Sequence, residues 1–478
     1  MELHLIIEGK RDLAAQVYRQ LSEAILSGRL AHGQQVPPSR LLAQQLGISR
    51  KPVAEAYSRL SYEQLLTGQP GRGTFVNAPL SARPAPPRGA QLAAAATLAR
   101  WKQFDNPLRK FIKEGRAQYD FIGGSPAAAH FPEDEWRRAV NAALRAERSH
   151  RTRYSDTAGV PELRQAIAHH AAYARGVATD AAHVMVTNGA QQALDLLARV
   201  LLEPGACVAM EDPGYPAARQ LFASHGARLA LVPVDAEGIV AERIPGDARL
   251  IYVTPAHQFP LGMPMSEGRK AALLARAREI GAVIIEDDYD SAFRYEGRPA
   301  DSLQSMDSHG LVVYVGTLSK VLMPELRIGY MAVPDQLLEA LHVVRHLSDW
   351  HSPTLTQHAA ARFIEDGALL RHVRKLGAVY ATRREALQRG FAGPLAPWFE
   401  LVPTTAGFHM TALARRPLDI ELLVRLARRV DVGLYSIRGF YAEQEPLPGL
   451  VMGFGAIETL DIAPALARVL TILQEMDT

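Results

Sequence analysis

The sequence predicts an α/β protein in three stretches: a small helical module closed by a β-hairpin, a linker, and a large unit built on a mostly parallel sheet. Three observations predict it. Residues 1–76 carry three helical segments and then two strand-like runs around a Gly/Pro turn. Residues 77–118 lose that pattern in a Pro- and Ala-rich stretch that supports no core and suits a linker. From Tyr119 to Thr478, short runs rich in Val and Ile are separated in several places by helical segments, the mark of β-α-β units.

In the first module Leu13, Val17, Leu21 and Ile25 fall four apart, one stripe of a helix that Gly28 stops. Pro37 and Pro38 precede Ser39, which is placed to cap a second helix, SRLLAQQLG, closed by Gly47. Ser49 is a second capping residue and opens a third helix, RKPVAEAYSRLSYEQ. Pro52 falls in its first turn, where a backbone N–H has no helical partner to lose. Two short helices joined at Gly-Ile-Ser, after a longer one, read as a helix-turn-helix. LLTGQPGRGTFV adds two strands around a turn, which makes the module a winged helix.

Arg40, Ser49, Arg50, Lys51 and Arg72 are the candidate DNA contacts. Arg50 and Lys51 open the third helix, where side chains reach base edges in the major groove. Arg40 and Ser49 suit phosphates, and Arg72 at the wing tip suits the minor-groove side.

Composition narrows the class. The chain has 478 residues, 48% of them hydrophobic and 22% charged, which is ordinary for a globular protein able to bury a sizeable core. The net charge of +3 does not announce nucleic acid, but residues 1–76 hold nine Lys and Arg against six Asp and Glu, the whole excess. The one cysteine, Cys207, excludes an internal disulfide or a cysteine metal cluster. MELHLIIEGKRD lacks the basic start and unbroken apolar core of a signal peptide. No run reaches the ~18 apolar residues of a spanning helix. A cytoplasmic protein with no membrane partner and no metal is expected.

In the large unit HVMVTNG, CVAMED, ARLALVPV, RLIYVTP, AVIIEDD and LVVYVGT read as strands. VVYVGT runs into LSK, so Lys320 lies just past a strand end beside Thr317 and Ser319, with Arg327 seven residues on. IIEDDYD puts carboxylates and a tyrosine at another strand end. Ligands of open parallel sheets gather outside the carboxyl ends of the strands. A lysine, an acid, two hydroxyls and an arginine converging there suit an anionic aldehyde cofactor.

Six motifs in order carry a resemblance: TNGAQQALDLL (187–197), EDPGYP (211–216), TPAHQFPLG (254–262), IEDDYDSAFRY (285–295), GTLSK (316–320) and ELRIGY (325–330). With them, residues 119–478 resemble a fold-type I aminotransferase with a small C-terminal α+β subdomain. VPPSRLLAQQLGISRKPVAEAY (36–57) and PGRGTFV (70–76) resemble the GntR-type winged helix. The order of the two resembles the MocR/GabR regulators, with a GntR-type domain over 1–76, a linker over 77–118 and an aminotransferase-like effector domain over 119–478.

The resemblance implies pyridoxal 5′-phosphate on Lys320, whose amine serves once its surroundings favour the neutral, nucleophilic form. Asp287 would pair with the pyridinium nitrogen so that the ring withdraws electrons, with Asp288 as the alternative. Tyr289 would donate to the 3′ oxygen, and Tyr215 would stack on the ring. Gly189, Ala190 and Gln191 would open a helix whose free amides and dipole suit the phosphate. Thr317, Ser319 and Arg327 would add donors, and Tyr154 would reach the phosphate from the partner subunit. Arg438, in GLYSIRGFY, would hold the carboxylate of an amino-acid-like effector.

The sequence also departs from the aminotransferases. Phe-Pro-Leu-Gly (259–262) replaces Asn-Pro-Thr-Gly, so the asparagine that supports the 3′ oxygen is missing. Glu325 stands where glycine is usual, and Val451 where transaminases carry a carboxylate-binding arginine, which shifts weight onto Arg438.

The function implied is a transcription regulator, a domain-swapped homodimer on operator DNA, that senses an amine or amino acid by aldimine exchange at Lys320. The alternative is an active aminotransferase carrying a DNA-binding module. Steady turnover is not expected of the regulator, although half-reactions stay open. A third possibility is a winged-helix sensor without cofactor chemistry.

Overall fold

A computed structural model describes residues 5–9, 11–77, 95–104, 115–146, 154–295 and 301–477. The chain divides into two compact units, Met1–Asp105 and Asn106–Thr478. Much of the stretch expected as a linker (78–94 and 105–114) lies outside the described residues. Within it Ala95–Arg100 is a short helix, followed by a 3-10 turn at Trp101–Gln103.

The smaller unit contains α1 (Leu13–Leu26), β1 (Gln35–Val36), α2 (Ser39–Gln45), α3 (Arg50–Tyr62), β2 (Leu66–Gln69) and β3 (Gly73–Val76). The α1 stripe works as its spacing requires: Val17, Leu21 and Ile25 are buried with Leu42, Val53, Leu60, Leu66 and Val76. β3 is central in an antiparallel sheet ordered β1-β3-β2. β1 was not expected; two residues before a Pro pair carry no period of their own.

Ser39 requires a correction. Pro38 holds the N-cap position and Ser39 is the first helical residue. Its Oγ accepts from Arg50 Nε at 3.4 Å instead of capping. Ser49 does occupy the N-cap of α3, with no side-chain capping hydrogen bond.

In the larger unit β4 (Tyr119–Asp120) precedes eight strands of one sheet. These are β5 (Val184–Thr187), β6 (Cys207–Asp212), β7 (Arg228–Asp235), β8 (Gly238–Ile239), β9 (Ala248–Val253), β10 (Val283–Asp288), β11 (Val312–Thr317) and β12 (Gly329–Ala332). Their spatial order is β5-β12-β11-β10-β9-β6-β7-β8. All six expected runs are strands. β12 lies antiparallel to both β11 and β5, and the β9–β10, β10–β11, β6–β9 and β6–β7 pairs are parallel. Two successive reversals leave β5 running with β11. The carboxyl ends of β5, β6, β9, β10 and β11 therefore open on one side.

The sheet is covered on both faces, as the two-residue alternation of its strands demands. Ile285, Val208, Leu250 and Val313 pack into one core with Leu194 and Leu197 of the helix Ala190–Leu201. Their neighbours Ile284, Ala209, Ile251 and Val312 pack into the opposite core with Leu273 of the helix Glu267–Ile280.

A second sheet forms the C-terminal subdomain from β13 (Phe399–Leu401), β14 (His409–Ala414), β16 (Tyr435–Ser436) and β17 (Gly449–Gly453). Its order is β13-β14-β17-β16, antiparallel throughout. β15 (Val432–Gly433) pairs with β4.

Candidate functional site

Strand alternation separates the two aspartates at the end of β10. Asp287 shares the face of Ile285, where Tyr252 Oη donates to its Oδ2 at 2.6 Å. Its Oδ1 is buried with no hydrogen-bond partner among the described residues. Burial pushes this carboxyl up to about 6. Asp288 points the other way, where its Oδ2 accepts from Arg175 Nε and from Tyr314 Oη, each at 2.7 Å. Asp288 is thus consumed by a buried ion pair, while Asp287 has an oxygen to offer.

Lys320 follows β11 by three residues, and its Nζ donates to the Gly124 carbonyl at 2.8 Å. Burial draws the ammonium pKa below its ordinary value, against the opposing pull of Asp290 and Asp287. That shift favours the neutral amine a nucleophile needs. Gly124 has φ +75, and a Cβ there would lie 2.8 Å from Nζ, so only glycine leaves the amine its place.

At the end of β5, Gly189 (φ +79) occupies the N-cap of Ala190–Leu201, and no side chain caps the helix there. The amides of Gly189, Ala190 and Gln191 lack intrahelical partners by geometry, while the Gln192 N–H donates to the Gly189 carbonyl at 3.2 Å. Arg327 Nη2 donates to the Asn188 carbonyl at 2.8 Å, and a Cβ on Gly189 would sit 2.7 Å from that nitrogen. Thr317 Oγ1 accepts from the Ser319 amide at 3.1 Å and donates to the Ile328 carbonyl at 3.3 Å. A bare helix start, a guanidinium and hydroxyls are thereby collected at one corner. Asp349 supports it by accepting from Asn188 Nδ2 at 2.9 Å and Gln192 Nε2 at 2.8 Å while paired with the buried Arg345.

Phe259 is the hub of an aromatic wall, with ring centroids 5.7 Å from Tyr215, 5.6 Å from Tyr289 and 5.0 Å from Phe440. Burial pushes the Tyr215 hydroxyl up to about 12. Tyr289 Oη donates to the His257 carbonyl at 2.8 Å, so its hydrogen is directed into the protein. Beneath it His257 Nδ1 lies 2.8 Å and His409 Nδ1 3.7 Å from the Asp290 carboxylate. Burial opposes ionisation of Asp290, yet the two histidines hold its carboxyl well below the usual range. Sequence reasoning missed this group, because its members come from three distant segments.

Two expected residues stand apart. Tyr154 is 77% exposed and packs edge-on against Trp350, with centroids 4.4 Å apart. Arg438 is exposed in the turn Ile437–Phe440, its guanidinium without a hydrogen-bond partner among the described residues. Phe440, in the same turn, carries that backbone to the aromatic wall. In the smaller unit Arg40, Ser49, Arg50, Lys51 and Arg72 are all exposed.

The donors fit pyridoxal phosphate. A lysine depressed by burial, an orphaned carboxylate oxygen and an uncapped helix start beside an arginine match its aldehyde, ring nitrogen and phosphate in kind. No helix among the described residues is long and apolar enough to cross a membrane.

Comparison with known proteins places both units. Residues 125–446 match the aminotransferase class I and II family, and residues 13–76 match the gntR family of bacterial regulatory proteins. The chain is 33% identical to the probable rhizopine catabolism regulatory protein MocR of Rhizobium meliloti, over 93% of this chain and 90% of that one. It is 30% identical to the pyridoxine biosynthesis transcriptional regulator PdxR of Corynebacterium glutamicum, over 93% and 92%. Among solved structures, the α-aminoadipate aminotransferase LysN of Thermus thermophilus, complexed with N-(5′-phosphopyridoxyl)-L-leucine, is 25% identical with a TM-score of 0.72, over 80% of this chain and 99% of that one. The chain belongs to the MocR-type transcription regulators, in which a GntR helix-turn-helix is joined to an aminotransferase class I and II domain.

Proposed function

We propose that this regulator binds pyridoxal phosphate at Lys320 and uses it to sense a primary amine bearing an acidic group, which changes its grip on operator DNA. The observation that carries the reading is the pairing of a buried, pKa-lowered Lys320 with the orphaned Oδ1 of Asp287 in a chain that also holds a helix-turn-helix. The phosphopyridoxyl ligand of LysN supports the cofactor, and the regulators among its relatives support sensing over turnover.

When bound, the cofactor supplies an aldehyde that condenses reversibly with primary amines. The chain's own residues set the terms of that exchange. Lys320 would supply the amine that links the cofactor, its ammonium pKa lowered by burial and its Nζ placed against the Gly124 carbonyl. Asp287 holds a proton on the ring nitrogen. The amides of Gly189, Ala190 and Gln191, with Thr317, Ser319 and Arg327, bind the phosphate. Tyr215 would stack on the ring, and Tyr289 would donate to the 3′ oxygen by turning its hydroxyl hydrogen away from the His257 carbonyl. Tyr154, exposed on its own protomer, serves the partner's phosphate site in a homodimer. Arg438 binds the effector's acidic group.

Asp287 makes the reading dependent on pH. Its carboxyl is raised to about 6, and a protonated ring nitrogen beside it would favour the carboxylate and lower that value. Cofactor binding therefore releases a proton, and affinity should fall as pH drops through about 6, by up to tenfold per unit. The phosphate titrates near pH ~6 as well. The steeper loss in wild type than in Asp287→Asn, measured by equilibrium binding at several pH values, isolates the carboxylate. Equal slopes would remove Asp287 from the ring nitrogen.

Arg438→Ala tests the acid anchor. Hydrogen bonds to charged groups contribute about 1.5–3 kcal/mol, so the variant should lose on the order of 10- to 100-fold in affinity for an acidic amine. The cofactor's absorption shift on titration reports it. If acidic and uncharged amines weaken together, or neither does, Arg438 is not the anchor.

A further inference from the structure

Asp212 ends β6 inside the EDPGYP segment, and none of the roles above uses it. It is 1% exposed. Its Oδ1 accepts from the Ala442 amide at 2.9 Å, and its Oδ2 accepts from the amides of Glu443 at 2.9 Å and Gln444 at 2.8 Å. One buried carboxylate thus collects three successive backbone donors some 230 residues away in the chain. Two more bonds join the same segments: the Gly214 amide and Arg219 Nη1 both donate to the Phe440 carbonyl, each at 3.2 Å.

The grip matters because of what the segment lacks. Residues 442–445 are exposed, so no apolar burial holds this stretch down. Upstream, the exposed Arg438 has no side-chain partner among the described residues, so the region its guanidinium can reach is centred by the backbone of its turn alone. That backbone is fixed at one end by β16, paired with β17, and by the fully buried Ile437. Past Phe440, the half-buried Tyr441 packs against the cluster of Ile437 and Val451, and beyond it the Asp212 carboxylate holds the exposed residues 442–444. Charge-assisted bonds to backbone N–H groups are the strong kind, and the buried carboxylate needs them as much as the amides do.

We propose that Asp212 is a positioning residue for effector recognition: by clamping residues 442–444 it holds the Arg438 turn where the acidic group of the ligand is read. The inference rests on the reading of Arg438 as the acid anchor, and its test keeps the two apart. Asp212→Asn is nearly isosteric but presents an amide nitrogen to at least one N–H donor, so it releases the clamp without removing volume.

The full-length protein loaded with pyridoxal phosphate is titrated with β-alanine against n-propylamine, and with L-alanine against isopropylamine, by the shift in visible absorption. Asp212→Asn should lower affinity for the acid that wild type prefers by about tenfold or more, and for its matched amine by less than about threefold. In the Arg438→Ala background the same substitution should add less than about twofold, since residues acting as one unit are not additive. Equal losses for acid and amine, or losses that multiply with those of Arg438→Ala, would overturn the inference. If Arg438→Ala leaves the acid-to-amine ratio unchanged, the anchor itself is misassigned and the inference falls with it.

A second measurement needs no variant. Amide hydrogen exchange of unliganded wild type should show Ala442, Glu443 and Gln444 protected at least tenfold over open-chain rates. Open-chain exchange at all three would overturn the clamp whatever the ligand does.

Discussion

Lys320→Ala is expected to abolish the visible absorption of the cofactor-loaded protein and let the cofactor leave on dialysis. On the proposed reading the lysine, three residues past the end of β11, contributes the covalent link. Among the described residues its Nζ makes one hydrogen bond, to Gly124, so the fold should survive with a far-ultraviolet spectrum like that of wild type. Borohydride reduction of wild type followed by peptide mapping should place the label on the peptide containing Lys320. A label on another lysine would show that the site is misassigned, whatever the variant does.

The second large effect belongs to the smaller unit. Arg50 and Lys51 open α3, exposed and free of core contacts, at the end of a helix-turn-helix that presents its recognition helix N-terminus first. A good base contact contributes about 1–3 kcal/mol, so Arg50→Ala with Lys51→Ala should weaken operator binding by roughly 30-fold or more. Footprinting at moderate salt is the measurement, since phosphate contacts at low ionic strength mask lost specificity. The loaded variant should keep its cofactor absorption. A retained footprint would move base reading to another element.

How far the sequence foretold this depends on the range of the interaction. β5, β6, β7, β9, β10 and β11 were legible because each is a Val- and Ile-rich run between turn signals. β12 was not, because four residues buried between two strands carry no amphipathic period. Lys320, Asp287 and Arg327 could be placed at strand ends from local pattern together with family resemblance. What holds them could not: Gly124 lies 196 residues from Lys320 and Tyr252 lies 35 from Asp287. The choice between Asp287 and Asp288 was open in the sequence and turns on which face each one takes. Only the fold brings Arg175 to Asp288, from 113 residues away. Ser39 failed for the opposite reason. The N-cap falls one residue earlier, at Pro38, and the Ser39 Oγ meets Arg50 instead.

The central claim is that ligand exchange at Lys320 and operator binding are linked. The most direct measurement is operator affinity of the cofactor-loaded protein, on the DNA upstream of its own gene, with and without the amine that best shifts its absorption. Allosteric couplings are typically 1–3 kcal/mol, so the affinity should change about 5- to 150-fold, and operator should change the ligand's affinity by the same factor. Lys320→Ala should lose that response. An operator affinity indifferent to the amine, or a keto acid consumed through many turnovers with no change on DNA, would contradict the account.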